Sequence, residues 1–107
     1  MRPKLALMLG SNQPRRILRA VCLGNLAGNH AGVKVPPGDL LICAGSMTAN
    51  GFTAEIEDFG AWLRTLPHPR KIVVAGDLDH AARRDPERTR GLLDPALYLD
   101  QIGRAHV

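Results

Sequence analysis

The chain predicts an α/β fold built on a parallel βαβ core, and three observations carry that expectation. Two short apolar runs, Leu40 to Ala44 and Ile72 to Ala75, each close at a glycine and a polar residue, Gly45-Ser46 and Gly76-Asp77. Continuous apolar runs of this length suit strands buried on both faces, as in parallel sheets. Between them Ile56, Phe59, Leu63 and Leu66 recur at helical spacing. A strand, a crossover helix and a second parallel strand make a right-handed unit, and ligands of such sheets bind beyond the carboxyl ends of the strands. That rim carries Ser46, Asp77, Asp79 and His80.

The elements follow in order. Leu5 to Leu9 is a candidate strand bounded by Pro3 and by Gly10-Ser11-Asn12. Its apolar segment is too short for the core of a signal peptide. Ile17 to Gly24 is the next strand, and a glycine- and asparagine-rich loop runs from Asn25 to Gly32. Such loops can cradle phosphate, although this one has neither G-x-G-x-x-G nor P-loop spacing. His30 stands at the loop's end, where a lone histidine is more often solvated than a ligand. Val35-Pro36-Pro37-Gly38 is a rigid turn into the first core strand.

Thr53 suits the N-cap of the crossover helix, with Glu55, Glu57 and Asp58 near its positive end, and Pro67 and Pro69 stop it. His80 to Arg84 reads as a continuation of the rim loop. Asp85, Pro86 and Glu87 then form a strong helix start, and Asp94-Pro95 an end. Ala96 to Leu99 is a final strand, and Gln101 to Val107 has no clear pattern.

At 107 residues and 45% apolar content the chain is expected to be one packed domain. Net charge is +4, and eleven of the fourteen basic residues are arginine. They cluster as Arg15, Arg16 and Arg19, and as Arg83, Arg84, Arg88 and Arg90. Only four aromatic residues exist and none interleaves with these runs. Solvated arginines are therefore the preferred reading, and nucleic-acid binding the lesser one. Cys22 and Cys43 lie within predicted strands and are expected to be buried, reduced thiols. No apolar stretch approaches the roughly 20 residues of a membrane span. A cytoplasmic location is expected by default.

The central stretch also carries a family resemblance. Gly38-Asp39, Leu41-Ile42-Cys43-Ala44-Gly45-Ser46 with Thr48, Trp62-Leu63, and Leu66-Pro67-His68-Pro69-Arg70-Lys71-Ile72-Val73-Val74-Ala75-Gly76-Asp77-Leu78-Asp79 resemble the calcineurin-like metallophosphoesterases. The similar family pattern reads GDxLIHAGDxT, a helix with a late Trp-Leu, and LPHPxKIVIAGNHD. Arg19 to His30 resembles the family's first strand and its Asp-x-His loop, and Asp85 to Arg88 and Leu92 to Leu99 echo later segments.

The resemblance implies a two-metal phosphoesterase scaffold, whereas the residues at the ligand positions depart from it. Asn25, Ala27, Ser46 and Asp77 stand where it implies Asp, His, Asp and Asn, and Leu78 stands at the catalytic histidine. A dinuclear site requires a bridging carboxylate to offset the repulsion of two cations, which Ser46 cannot supply. Ala27 and Leu78 have no donor atom.

The resemblance thus gives a reduced metallophosphoesterase-like sheet, one half-size domain over residues 1–107, with the uncovered sheet face favouring a homo-oligomer. A faint likeness of Arg2-Pro3-Lys4-Leu5 to a late family strand offers an alternative in which Gly10, Ser11, Asn12 and Gln13 are a permuted final metal loop. The expected function is binding or assembly by a catalytically degenerate domain, with no metal. Its rim of Asn25, Gly28, Asn29, Gly45, Ser46, Gly76 and Asp77 is expected to hold an anion or a phosphate-containing small ligand through backbone N–H groups. The alternative is a divergent phosphodiesterase in which Asp77, Asp79 and His80 hold manganese, iron or zinc and His80 or His30 donates a proton. A basic nucleic-acid-binding module is the third reading.

Overall fold

The computed structural model describes residues 17–101 and 104–105 of the chain, with side chains over 17–99. Strands β1 (Ala20–Gly24), β2 (Leu40–Ala44), β3 (Arg70–Val74) and β4 (Leu97–Gln101) lie side by side in chain order, all parallel. A short β5 (Arg104–Ala105) turns back antiparallel along β4. The connections hold α1 (Thr53–Arg64), α2 (His80–Arg84) and α3 (Pro86–Leu93), with a single 3₁₀ turn at His30–Gly32. The predicted α/β class and parallel βαβ core are both present. The predicted strand at Leu5 to Leu9, and with it the permuted loop of Gly10 to Gln13, lies outside the described residues.

The ladder register sets the strand boundaries. Ala20 pairs with Leu40 and Leu40 with Arg70, so β1 begins three residues later than Ile17, and β3 begins before Ile72. At that end Asp39 accepts a hydrogen bond from the Arg19 N–H at 3.0 Å and donates its own N–H to Arg19 O at 2.9 Å. These bonds fix where the first ladder starts.

One face of the sheet is packed by helices. Val21, Leu41, Cys43, Val73 and Tyr98 alternate onto it and meet Ile56, Phe59 and Leu63 of α1 and Leu93 of α3 in one core. Burying a side chain of this size stabilises the fold by about 1.5–3 kcal/mol. Arg64 clamps the two helices by donating from Nη1 to the carbonyls of Leu92 (3.1 Å) and Asp94 (3.0 Å), groups that the end of α3 leaves unpaired. The opposite face presents a register row of Cys22, Ile42, Ile72 and Leu97. Cys22 and Leu97 on this row are exposed. The expectation that both cysteines are buried is therefore corrected: Cys43 points into the helical core, while Cys22, one register step apart in parity, points to the other face.

Two local expectations also change. The N-cap of α1 is Phe52, and Thr53 is the first helical residue. The capping work is done by Glu55, whose carboxylate reaches back to the N–H groups of Phe52 (3.1 Å), Ala49 (2.8 Å) and Asn50 (3.1 Å). Residues 80–84 form a one-turn helix instead of a loop, burying Ala81 and Ala82. Five residues span little more than one turn, too few for an apolar spacing to repeat in the sequence. Asp85 caps α3 as expected, accepting from the Arg88 N–H at 3.1 Å. None of the described helices is long and apolar enough to cross a membrane.

The two thiols should differ in reactivity. Burial, helped by the neighbouring Cys22, pushes the Cys43 thiol up to about 12, so it stays protonated in mildly alkaline solution. Iodoacetamide should add once to the native protein, at Cys22, and twice after urea unfolding; a native double adduct in intact mass spectrometry would contradict this packing.

Glu55 predicts a pH dependence. Desolvation pushes its carboxyl up, but the N–H donors of Phe52, Ala49 and Asn50 outweigh this and hold it below the ordinary value. A depressed carboxyl stabilises the fold above its unfolded pKa, and the contribution disappears as pH falls through its folded value. The stability difference between wild type and Glu55→Gln should thus be largest near neutrality and close in acid. A gap that widens on acidification in urea titrations would refute it.

Candidate functional site

The carboxyl ends of β1, β2 and β3 deliver three loops to one rim, and the first two loops continue to hydrogen-bond after their strands stop. Asn25 N–H donates to Ala44 O (3.2 Å), Ala27 N–H to Ser46 O (2.8 Å) and Gly28 N–H to Met47 O (3.2 Å). To follow this path the chain adopts left-handed backbone at Asn25 (φ 51°), Ala27 (φ 45°) and Gly28 (φ 84°). Asparagine tolerates that conformation, whereas alanine does so at a cost.

The second and third loops are joined by one buried carboxylate. Asp79 is fully buried and accepts from Met47 N–H, from Thr48 N–H (2.9 Å) and Oγ1 (2.7 Å), and from Gly76 N–H (2.9 Å). Thr48, also fully buried, accepts in turn from Gly51 N–H at 3.1 Å. Ser46 Oγ accepts from Leu78 N–H at 3.1 Å, a second bond between the same loops. The α2 start is tied in by Ala81 N–H donating to Gly51 O at 3.0 Å.

Two glycines allow this close approach. A Cβ on Gly45, which has φ 91°, would collide with Asn25 Oδ1, and one on Gly76 would collide with the backbone N of Ser46. Asn25, Gly45, Ser46 and Gly76 are thus brought together at the rim. The N–H groups of Gly28 and Asn29 are engaged within the protein, the latter to Leu26 O at 2.8 Å.

Other predicted site residues are placed apart. Asp77 and His80 are exposed, but Asp79 between them turns inward onto its four backbone and side-chain donors. The three side chains of the alternative metal set, Asp77, Asp79 and His80, do not converge. Among the described residues no three His, Cys, Asp or Glu side chains converge.

His30 is not a solvated loop residue: it is 4% exposed and packs 5.2 Å from the rings of both Phe59 and Trp62. Its Nε2 lies 2.8 Å from Asp58 Oδ2, and since the carboxylate only accepts, Nε2 carries the proton. The Asp58 side chain is 74% exposed, so this pair contributes at most about 1 kcal/mol. His30 anchors the first loop on α1. His68 does the same for another turn, its Nε2 lying 2.8 Å from Pro36 O.

No family model matches the chain. It is 34% identical over 86 residues to Metallophosphoesterase domain-containing protein 1 of Homo sapiens, which covers 80% of this chain and 26% of that protein. The protein of the same name in Mus musculus gives the same values. A UPF0046 protein of Caenorhabditis elegans is 35% identical over 93 residues, covering 79% of this chain and 32% of its own length. The chain belongs to the metallophosphoesterase-like family. Its α/β architecture is consistent with a reduced metallophosphoesterase-like core. The chain spans about a quarter to a third of the length of these curated relatives.

Removal of the Asp79 carboxylate should be costly. Asp79→Ala leaves the N–H groups of Met47, Thr48 and Gly76 without acceptors, and at about 1–3 kcal/mol for each orphaned buried donor the expected loss is at least about 3 kcal/mol. Thr48→Val, which deletes one hydroxyl, should cost about 1 kcal/mol. Urea unfolding reads both, and a loss below that of Thr48→Val for Asp79→Ala would show that the carboxylate does not hold the loops.

Proposed function

We propose that this chain is a catalytically degenerate metallophosphoesterase-like domain acting in binding or assembly. The observation that carries the reading is the donor chemistry at the rim. Asn25, Ala27, Ser46, Asp77 and Leu78 stand where the family resemblance implies four metal ligands and a catalytic histidine. Two of these, Ala27 and Leu78, have no donor atom. Ser46 would have to bridge two cations, yet its hydroxyl is 8% exposed at the residue level, already accepts from Leu78 N–H, and bears no charge. A serine hydroxyl does not offset two divalent charges a few ångströms apart. These residues do not fit a dinuclear metal centre.

The inward orientation of Asp79 also weighs against the alternative, a divergent phosphodiesterase using one manganese, iron or zinc ion at Asp77, Asp79 and His80. Recruiting Asp79 to a metal would strip Met47, Thr48 and Gly76 of their acceptor. A small phosphate-bearing ligand at this rim would rest on Gly45 and Ser46, because the Gly76 N–H is given to Asp79 and the Asp77 carboxylate repels an anion. Association through the row of Cys22, Ile42, Ile72 and Leu97, exposed at its two ends and half-buried between, would serve assembly as a homo-oligomer. A cytoplasmic setting suits the exposed, reduced Cys22 thiol.

The full chain purified without chelator should hold well under one equivalent of manganese, iron or zinc by elemental analysis. It should not hydrolyse bis-p-nitrophenyl phosphate above the buffer rate when manganese is added. Stoichiometric metal together with turnover abolished by Asp77→Ala would overturn the reading in favour of the enzyme.

A further inference from the structure

Beside the rim lies a cationic surface that the metal question does not touch. Arg83 and Arg84 of α2 and Arg88 of α3 are exposed, and their side chains make no hydrogen bond or ion pair among the described residues. Their neighbours are spoken for: Arg90 pairs with Glu87 at 3.2 Å, and Arg64 caps α3. Of the nearby acids, Asp85 is committed to the Arg88 N–H and Glu87 to Arg90, while Asp77 stands on the rim.

This surface is shallow at His80, Arg83 and Arg84 and deepens toward Arg88. His80, Arg83 and Arg84 line an open hollow of about 590 Å³. Arg84 also lines a second cleft of about 160 Å³, together with Arg88 and Thr53. One arginine shared by adjoining depressions gives a cationic track rather than a single anion pocket. Phe52, next in the chain to the cleft-lining Thr53, is 65% exposed, and Leu78, two residues before His80, is 43% exposed. The Gly51–Ala81 backbone bond at 3.0 Å holds the chain next to Phe52 against α2. An exposed aromatic ring beside a cationic groove is the combination that grips unpaired bases and their phosphates. An anionic bilayer would instead call for a convex apolar face between the charges.

We propose that this groove binds a single-stranded nucleic-acid segment, with Arg83, Arg84 and Arg88 on its phosphates and Phe52 stacked against a base. The contact to phosphate is independent of sequence, and the arginines supply the bidentate geometry that phosphate favours.

Fluorescence anisotropy of the full chain with a labelled oligothymidylate of about twenty nucleotides tests the proposal. Binding should weaken with salt, and three phosphate contacts at about 0.7 each give a slope near −2 in log K against log salt. The combined Arg83→Gln, Arg84→Gln and Arg88→Gln variant should lose binding while keeping its circular dichroism; if it fails to fold, Arg84→Gln alone should reduce both affinity and slope. Phe52→Ala should weaken binding roughly tenfold with the slope unchanged, since stacking carries no charge. Arg70→Gln removes one exposed charge at the opposite end of the sheet and should leave affinity intact. The proposal is overturned if Arg70→Gln weakens binding as much as Arg84→Gln, if Phe52→Ala has no effect, or if phosphatidylserine vesicles are bound and the oligonucleotide is not.

Discussion

A single buried carboxylate organises the rim of this fold. Asp79 takes hydrogen bonds from the loop after β2 and from its own loop after β3, so two segments more than thirty residues apart are held by one side chain. An ionised group without partners would be expensive to bury, but here every nearby donor is an N–H or O–H aimed at it. The second loop then fixes the first, because Ala27 and Gly28 donate to Ser46 and Met47. Order passes from Asp79 outward to all three strand ends.

That arrangement also explains why the rim is tight. The loops approach so closely that side chains at Gly45 and Gly76 would collide with Asn25 and Ser46. The Ser46 hydroxyl, bonded to Leu78 N–H, adds a side-chain link between the same loops. The left-handed conformations at Asn25 and Ala27 belong to the same constraint, since they steer the first loop alongside the second. The scaffold is thus held by hydrogen bonds that need no cation.

The parallel core was legible because its signals are local and repeated: apolar runs of strand length, glycine closures, and the helical spacing of Ile56, Phe59 and Leu63. The α3 start was legible for the same reason, Asp85-Pro86 being a short-range signal. Partnerships across the chain were not. Nothing adjacent to Asp79 announces Met47 and Thr48 as its donors, and His30 reads as a loop residue until α1 brings Asp58, Phe59 and Trp62 against it. Cys22 failed for a different reason. Continuous apolar runs hide strand parity, so only the register shows that Cys22 and Cys43 point to opposite faces.

Charge is distributed along the same lines. Acids near the rim are spent on the fold: Asp79 on two loops, Glu55 on the start of α1, and Asp85 on the start of α3. Each is a local acceptor for backbone N–H groups, so its negative field is neutralised close to where it sits. The arginines of α2 and α3 are not used this way, apart from Arg90. Hydrogen bonding therefore sorts these charges: Asp79 inside, and Glu55 and Asp85 at the surface, serve as acceptors for the backbone, whereas the Arg83, Arg84 and Arg88 guanidinium groups stay exposed with no partner among the described residues. A chain of modest net charge, +4, can in this way present one strongly cationic flank.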